Sequence, residues 1–284
     1  MNLQEAKRDI LEAGRRVYQQ GYVASNDGNI SCRLDDERIL TTPTGMSKGF
    51  LEMSDLVVVD YEGKKVSGEK NPSSEIGMHI FLYRERPDIN AVVHAHPPTA
   101  TGFSVAGIPL TECVLPEVII TLGAIPIAGY GTPGGPEISE PIKKWVQDYD
   151  AYLLENHGAT TIGKDVMNAY YKMETMEHFA KILFVAKQLG GANLLNEQQV
   201  ADLLKIRDKM GLHGPMPACD WTPGVSQIQD PIGQAARGTN GIPTLKTKSA
   251  SGNGASSLPQ TGQTDPNMVD EITRRVIEEL KKRT

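Results

Sequence analysis

The stretch Ala91-Val92-Val93-His94-Ala95-His96-Pro97-Pro98 decides how this chain is read. Two β-branched residues lead into two histidines separated by one small residue, and a Pro-Pro pair ends the run. Side chains alternate between the faces of a strand, so His94 and His96 project from one face, near enough to share a cation. Taken alone, His-Ala-His reads as well as a half-buried strand end with two hydrogen-bonded imidazoles. Two other stretches favour a metal: Pro72-Ser73-Ser74-Glu75 upstream and Glu155-Asn156-His157-Gly158 downstream. They add a carboxylate and a third imidazole, and a catalytic zinc uses three protein ligands plus an open or exchangeable position.

Outward from this stretch the chain reads as alternating helices and strands. Residues 3–20 carry Leu3, Ala6, Ile10, Leu11, Ala13 and Val17 at a helical period, with Gly21 as C-cap. Ser25-Asn26-Asp27-Gly28-Asn29 is a turn flowing into a strand, and residues 38–42 form the next strand, stopped at Pro43-Thr44-Gly45. Both turns bring backbone N–H groups to where they can converge on an anion, although most such clusters are only turns. Residues 56–60 are a buried strand, and Ser73-Ser74 precede a helix over 75–84 with a serine as N-cap. Glu75 then lies at a helix start beside two hydroxyls, a natural phosphate site. His79, one turn on, reads as a fourth ligand or, better, as a supporting or core histidine. Past the histidine strand, residues 99–106 suit a short helix, and 114–122 with 125–127 are apolar and β-rich. Residues 130–135 are an exposed loop, 138–149 are helical, and 151–154 form a buried strand that delivers Asn156 and His157 at its end. A long helix over 167–189 carries Ala169, Met173, Met176, Phe179, Ala180, Leu183 and Ala186 at helical spacing, with His178 in packing or intersubunit contact; His213 has no assigned place.

With 284 residues, 39% hydrophobic and 23% charged, the chain is long enough for one well-buried catalytic domain with a remainder. A net charge of -6 without a basic stripe argues against nucleic acid, and no apolar run reaches the ~18 residues of a membrane span. Cys32, Cys113 and Cys219 are odd in number and widely spaced, which fits free thiols in a reducing, cytoplasmic setting. The domain reads as residues 1–220. Half of residues 221–264 are Gly, Pro, Ser or Thr, a flexible linker with an r.m.s. reach of roughly 35–40 Å. Residues 265–284 then read as an amphipathic helix: Asp265 caps, Pro266 suits its first position, and Met268, Val269, Ile272, Val276, Ile277 and Leu280 line one face.

His94-Ala95-His96-Pro97, Ser73-Ser74-Glu75, Thr42-Pro43-Thr44-Gly45, Gly28-Asn29-Ile30-Ser31 and Asn156-His157-Gly158, in register, resemble the class II aldolase and sugar-phosphate epimerase family. The resemblance covers roughly residues 1–220 and is greatest to its L-fuculose-1-phosphate aldolases. It implies an α/β, three-layer fold with a central, mainly antiparallel sheet between helices, and a homotetramer with sites at subunit interfaces. It also implies Zn²⁺ on His94, His96 and His157, with Glu75 ligating in the resting state and acting as acid/base. Phosphate of a sugar substrate would be held by Gly28, Asn29, Thr44, Gly45, Ser73 and Ser74. The reaction implied is cleavage of a deoxyketose 1-phosphate to dihydroxyacetone phosphate and lactaldehyde, a pentulose-5-phosphate 4-epimerase and a non-catalytic zinc scaffold being the alternatives. One departure stands out: the family's tyrosine that handles the proton on the aldehyde oxygen matches Cys113 here, and Tyr130, or else Glu117, takes over that role. The segment 265–284 behind its linker resembles the encapsulation peptides of bacterial microcompartment enzymes, which implies a shell or core protein as partner and a microcompartment lumen as destination.

Overall fold

The computed structural model describes residues 2–212 and 217–219. The linker, the segment 265–284 and His213 lie outside the described residues. Among the described residues eight strands form one sheet: β1 (Asn29–Arg33), β2 (Ile39–Thr41), β3 (Val57–Val59), β4 (Lys65–Ser67), β5 (Ala91–Ala95), β6 (Ile127–Ala128), β7 (Ala151–Leu154) and β8 (Gly158–Gly163), in the order β4-β3-β2-β1-β5-β8-β7-β6. Every pairing is antiparallel except β6 with β7, so the sheet is mixed but mainly antiparallel, as expected.

Helices cover both faces. Ala91, Val93 and Ala95 of β5 pack on one side with α1 (Leu3–Gln19), α3 (Pro98–Val105) and α5 (Val166–Gln188), whereas Val92 packs on the other with α2 (Ile76–Glu85) and the segment around Ile138, Ile142 and Trp145. A strand covered on both faces needs no polar alternation, which is why β5 is buried throughout. His94 shares the α2 side with Val92 by strand parity. The helix α3 starts at a proline without a side-chain cap of its own. Buried Glu177 of α5 accepts its Thr99 and Ala100 N–H groups at 3.1 and 2.8 Å, a carboxylate placed where the helix dipole favours it.

The structure corrects several expectations. Residues 114–122 are not β: Pro116 opens α4 (Pro116–Thr121), because its ring pre-sets φ for a first helical turn and outweighs the β-branched content. Residues 138–149 form short 3-10 turns, Pro136–Ser139 and Pro141–Lys144, instead of one helix; Pro141 has no N–H to continue a helical ladder. At α2 the cap is Glu75 itself, and Ser73 Oγ accepts the Glu75 N–H at 3.2 Å. A further helix, α6 (Glu197–Lys209), begins with a reciprocal capping box between Asn196 and Gln199.

Cys113 and Cys219 are not free thiols but a disulfide, with Cα atoms 5.5 Å apart; Cys32 alone stays free and buried. Sequence spacing concealed the pair because α4 and α6 fold together over a small separate core of Ile119 and Val200 that contains both sulfurs. The bridge closes a separation of 106 residues, for which chain entropy alone gives about 4–5 kcal/mol. Cys219→Ser is expected to lower the urea-unfolding free energy of the oxidised protein by about 2–4 kcal/mol. The difference should vanish when both proteins are unfolded in reductant.

Candidate metal centre

The sheet register assembles the centre. In β1 and β5, Asn29 pairs with His94, so the chain entering β1 runs past the histidine edge. Gly28 at φ +72 makes this possible: a Cβ there would lie 2.8 Å from the His94 carbonyl. On the other flank Leu154 pairs with Gly158 across the β7–β8 turn, and Asn156 takes φ +54 inside it, which turns His157 toward His94. The ring centroids of His94, His96 and His157 lie 4.7–5.1 Å apart.

Glu75 completes the group. Its Oε2 is 3.4 Å from His94 Nε2 and its Oε1 3.3 Å from His157 Nε2, while His94 and His96 Nε2 are 3.2 Å apart. The His94 tautomer follows from its partners: Nδ1 lies 3.0 Å from the Ala159 carbonyl, which can only accept, so Nδ1 carries the hydrogen and Nε2 a lone pair. Asp27 Oδ2, 3.5 Å from His96 Nδ1, favours the same tautomer there. Lone pairs held this close repel unless a cation lies between them. Donors at 2.0–2.1 Å around a tetrahedral zinc are about 3.3–3.4 Å apart, which these separations match. Glu75 Oε1 and His157 Nδ1 are buried without a hydrogen-bond partner. The residues present therefore fit a divalent metal.

Burial sets the charges. It pulls His94 well below the usual imidazole range and His157 down to about 4, helped by the neighbouring histidines, so both stay neutral ligands. Burial raises the Glu75 carboxyl, opposed by the 2.8 Å hydrogen bond that Asn29 Nδ2 donates to Oε2. His79 stands apart from the ligands: it is fully buried, its Nδ1 meets Ser31 Oγ at 2.7 Å, and burial takes it down to about 3.

A cleft of about 370 Å³ opens onto the centre, lined by Gly28, Asn29, Thr44, Gly45, Ser73 and Ser74 together with Glu75, His96 and His157. These loops are zipped together: Thr44 N–H donates to the Asn71 carbonyl and Ser73 N–H to that of Thr42, at 3.0 and 3.2 Å. Tyr130 is not brought in; its side chain is exposed and its N–H donates to Glu155 Oε2, although Pro133 of the same loop lines the cleft. Glu117 and His178 are exposed on helices away from the cleft lining. Asp27 and Lys48 also line it. The sequence reading missed both; the signals were Lys48 falling in the same loop as Thr44-Gly45 and Asp27 directly preceding Gly28-Asn29.

Residues 8–184 match the family model described as Class II Aldolase and Adducin N-terminal domain. The chain belongs to the class II aldolase family. It is, accordingly, a metal-dependent lyase. Its relatives include a 3-oxo-tetronate 4-phosphate decarboxylase of Pectobacterium atrosepticum, 34% identical over 64% of this chain and 85% of that protein. An L-fuculose phosphate aldolase of Methanococcus maripaludis is 35% identical over 64% of this chain and 97% of its own length. A solved L-fuculose 1-phosphate aldolase superposes with a TM-score of 0.67 at 28% identity, covering 73% of this chain and 97% of that one.

Gly158 tests the tightness of the class II aldolase centre in this chain, because a Cβ there would lie 2.5 Å from His96 Cδ2 and 2.6 Å from the Ala95 carbonyl. Gly158→Ala is expected to weaken metal retention about 10–100-fold, read by competition with a chromophoric chelator, while far-ultraviolet circular dichroism stays unchanged.

Proposed function

We propose that this enzyme cleaves a deoxyketose 1-phosphate, of the L-fuculose 1-phosphate type, into dihydroxyacetone phosphate and lactaldehyde with Zn²⁺ on His94, His96, His157 and Glu75. The observation that carries this reading is the convergence of three imidazoles and one carboxylate at the floor of a cleft whose other walls are hydroxyls and glycine-rich turns. That donor set suits zinc, which when bound supplies Lewis-acid stabilisation of negative charge developing on substrate oxygens. The residues do the rest. Gly28, Asn29, Thr44, Gly45, Ser73 and Ser74 hold the phosphate. As the C3–C4 bond breaks, its electron pair stays on the dihydroxyacetone phosphate fragment and Glu75 returns a proton to C3. The raised Glu75 carboxyl suits that exchange. Tyr130, whose side chain is exposed outside the cleft although Pro133 of its loop borders it, is the residue proposed for the proton of the C4 hydroxyl.

A second reading is favoured by Cys113, which the disulfide removes from any proton transfer. Loss of CO₂ from a 3-oxo acid 4-phosphate leaves the same three-carbon enediolate, and CO₂ departs without a proton to be handled. Product analysis after incubation with fuculose 1-phosphate, rhamnulose 1-phosphate, ribulose 5-phosphate and 3-oxo-tetronate 4-phosphate separates the readings. Dihydroxyacetone phosphate with lactaldehyde is expected; CO₂ release from the last substrate alone assigns the second reading, and an epimerised pentulose phosphate overturns both. Glu75→Gln should lower turnover about 10²-fold or more while metal content holds, since three imidazoles remain.

Assembly as a homotetramer belongs to the same reading, supported by the exposed Val105, Ile108, Phe184, Val185 and Leu189 on and beside α3 and α5. The segment 265–284 is proposed to direct the enzyme into a bacterial microcompartment by laying its apolar stripe on a shell or core protein, which would confine the reactive aldehyde. A fluorescent protein carrying this segment should become punctate in a shell-producing host and diffuse after Ile272→Glu with Val276→Glu; diffuse signal from the unmodified fusion would remove this role.

A further inference from the structure

Lys48 is 2% exposed yet lines the cleft. Its Nζ donates to the Asn26 carbonyl at 2.8 Å and the Met46 carbonyl at 2.5 Å. One carbonyl belongs to the loop of Gly28 and Asn29, the other to the loop of Thr44 and Gly45, so a single ammonium ties both together. An ammonium has three donors, and these two acceptors are neutral. Among the described residues no carboxylate lies within 4.0 Å of it, and a buried charge left without a counter-ion is costly. Its burial pulls the ammonium down to about 8, against the negative fields of Asp27 and Glu75. Those two carboxylates line the same cleft and would repel an incoming dianion, whereas Lys48 is the one Lys or Arg in the lining among the described residues.

We propose that Lys48 is the counter-charge and loop staple of the anion subsite, selecting phosphate-bearing substrates and drawing the two turns onto the phosphate. This rests on the reading of the cleft as a phosphate site. Lys48 is a specificity-determining residue: the reacting carbons lie at the metal end, so its removal should act on binding and leave the metal in place.

The test is calorimetric titration of the zinc-loaded full chain with inorganic phosphate, for wild type, Lys48→Gln and Lys48→Arg. Lys48→Gln should weaken phosphate at least tenfold with unchanged zinc content, and Lys48→Arg should recover most of the loss. The slope of log Kd against log salt should flatten in Lys48→Gln, a change that a merely structural role would not produce. If wild type binds no phosphate, the phosphate reading itself fails and this inference with it. If wild type binds and Lys48→Gln binds within twofold, only the assignment of Lys48 is overturned. Should Lys48→Gln not fold, the lysine ¹³Cε resonance that disappears in Lys48→Arg decides in wild type. A saturable shift with phosphate, on the same Kd, supports the inference, and an unmoved resonance overturns it.

Discussion

The approach of two nitrogen lone pairs, His94 Nε2 to His96 Nε2 at 3.2 Å, is the constraint on which the rest of the site depends. Strand parity brings the two rings to one face, and the Ala159 carbonyl holds the His94 hydrogen on the far nitrogen. His94 is enclosed and cannot relieve the contact by rotating, and His96 lies close to Gly158. A cation between the donors converts that repulsion into the favourable term of the centre. The desolvation that lowers the His94 and His157 proton affinities serves the same end, because a neutral imidazole is the ligating form.

The fold supplies this arrangement by letting backbone approach backbone. Gly28 and Gly158 stand where any side chain would strike the histidine edge, and between them they let β1 and the β7–β8 turn close on β5 from both sides. Glu75 arrives from the other layer at the start of α2, beside the Ser73–Ser74 turn that is hydrogen-bonded to the Thr42–Thr44 strand end. The proposed metal ligands and the proposed anion-binding loops are thus parts of one hydrogen-bonded unit. A change in the sheet register would displace both together, since one residue of slip turns every side chain to the opposite face.

What was legible in the sequence was what repeats or alternates. The His94/His96 pair, the buried strands and the long helix α5 all follow from period and composition, and the family motifs brought Glu75 and His157 into view. Local propensity misled where a single proline decides, as at Pro116 and Pro141, because counting β-branched or apolar residues over a window averages such a residue away. The α6 start was written in Asn196 and Gln199 but went unread. The Cys113–Cys219 bridge was not legible, because it depends on residues far apart in the chain meeting in space; Lys48 and Asp27 showed only as neighbours of the Thr44-Gly45 and Gly28-Asn29 turns, since an isolated Lys or Asp carries no pattern of its own.

The proposed centre brings three imidazoles and one carboxylate onto one ion. X-ray absorption at the zinc edge of the zinc-loaded full chain tests it directly. A shell of nitrogen and oxygen at about 2.0–2.1 Å with the multiple-scattering signature of three histidines is expected. A sulfur shell at about 2.3 Å, or scattering from fewer than three imidazoles, would contradict it.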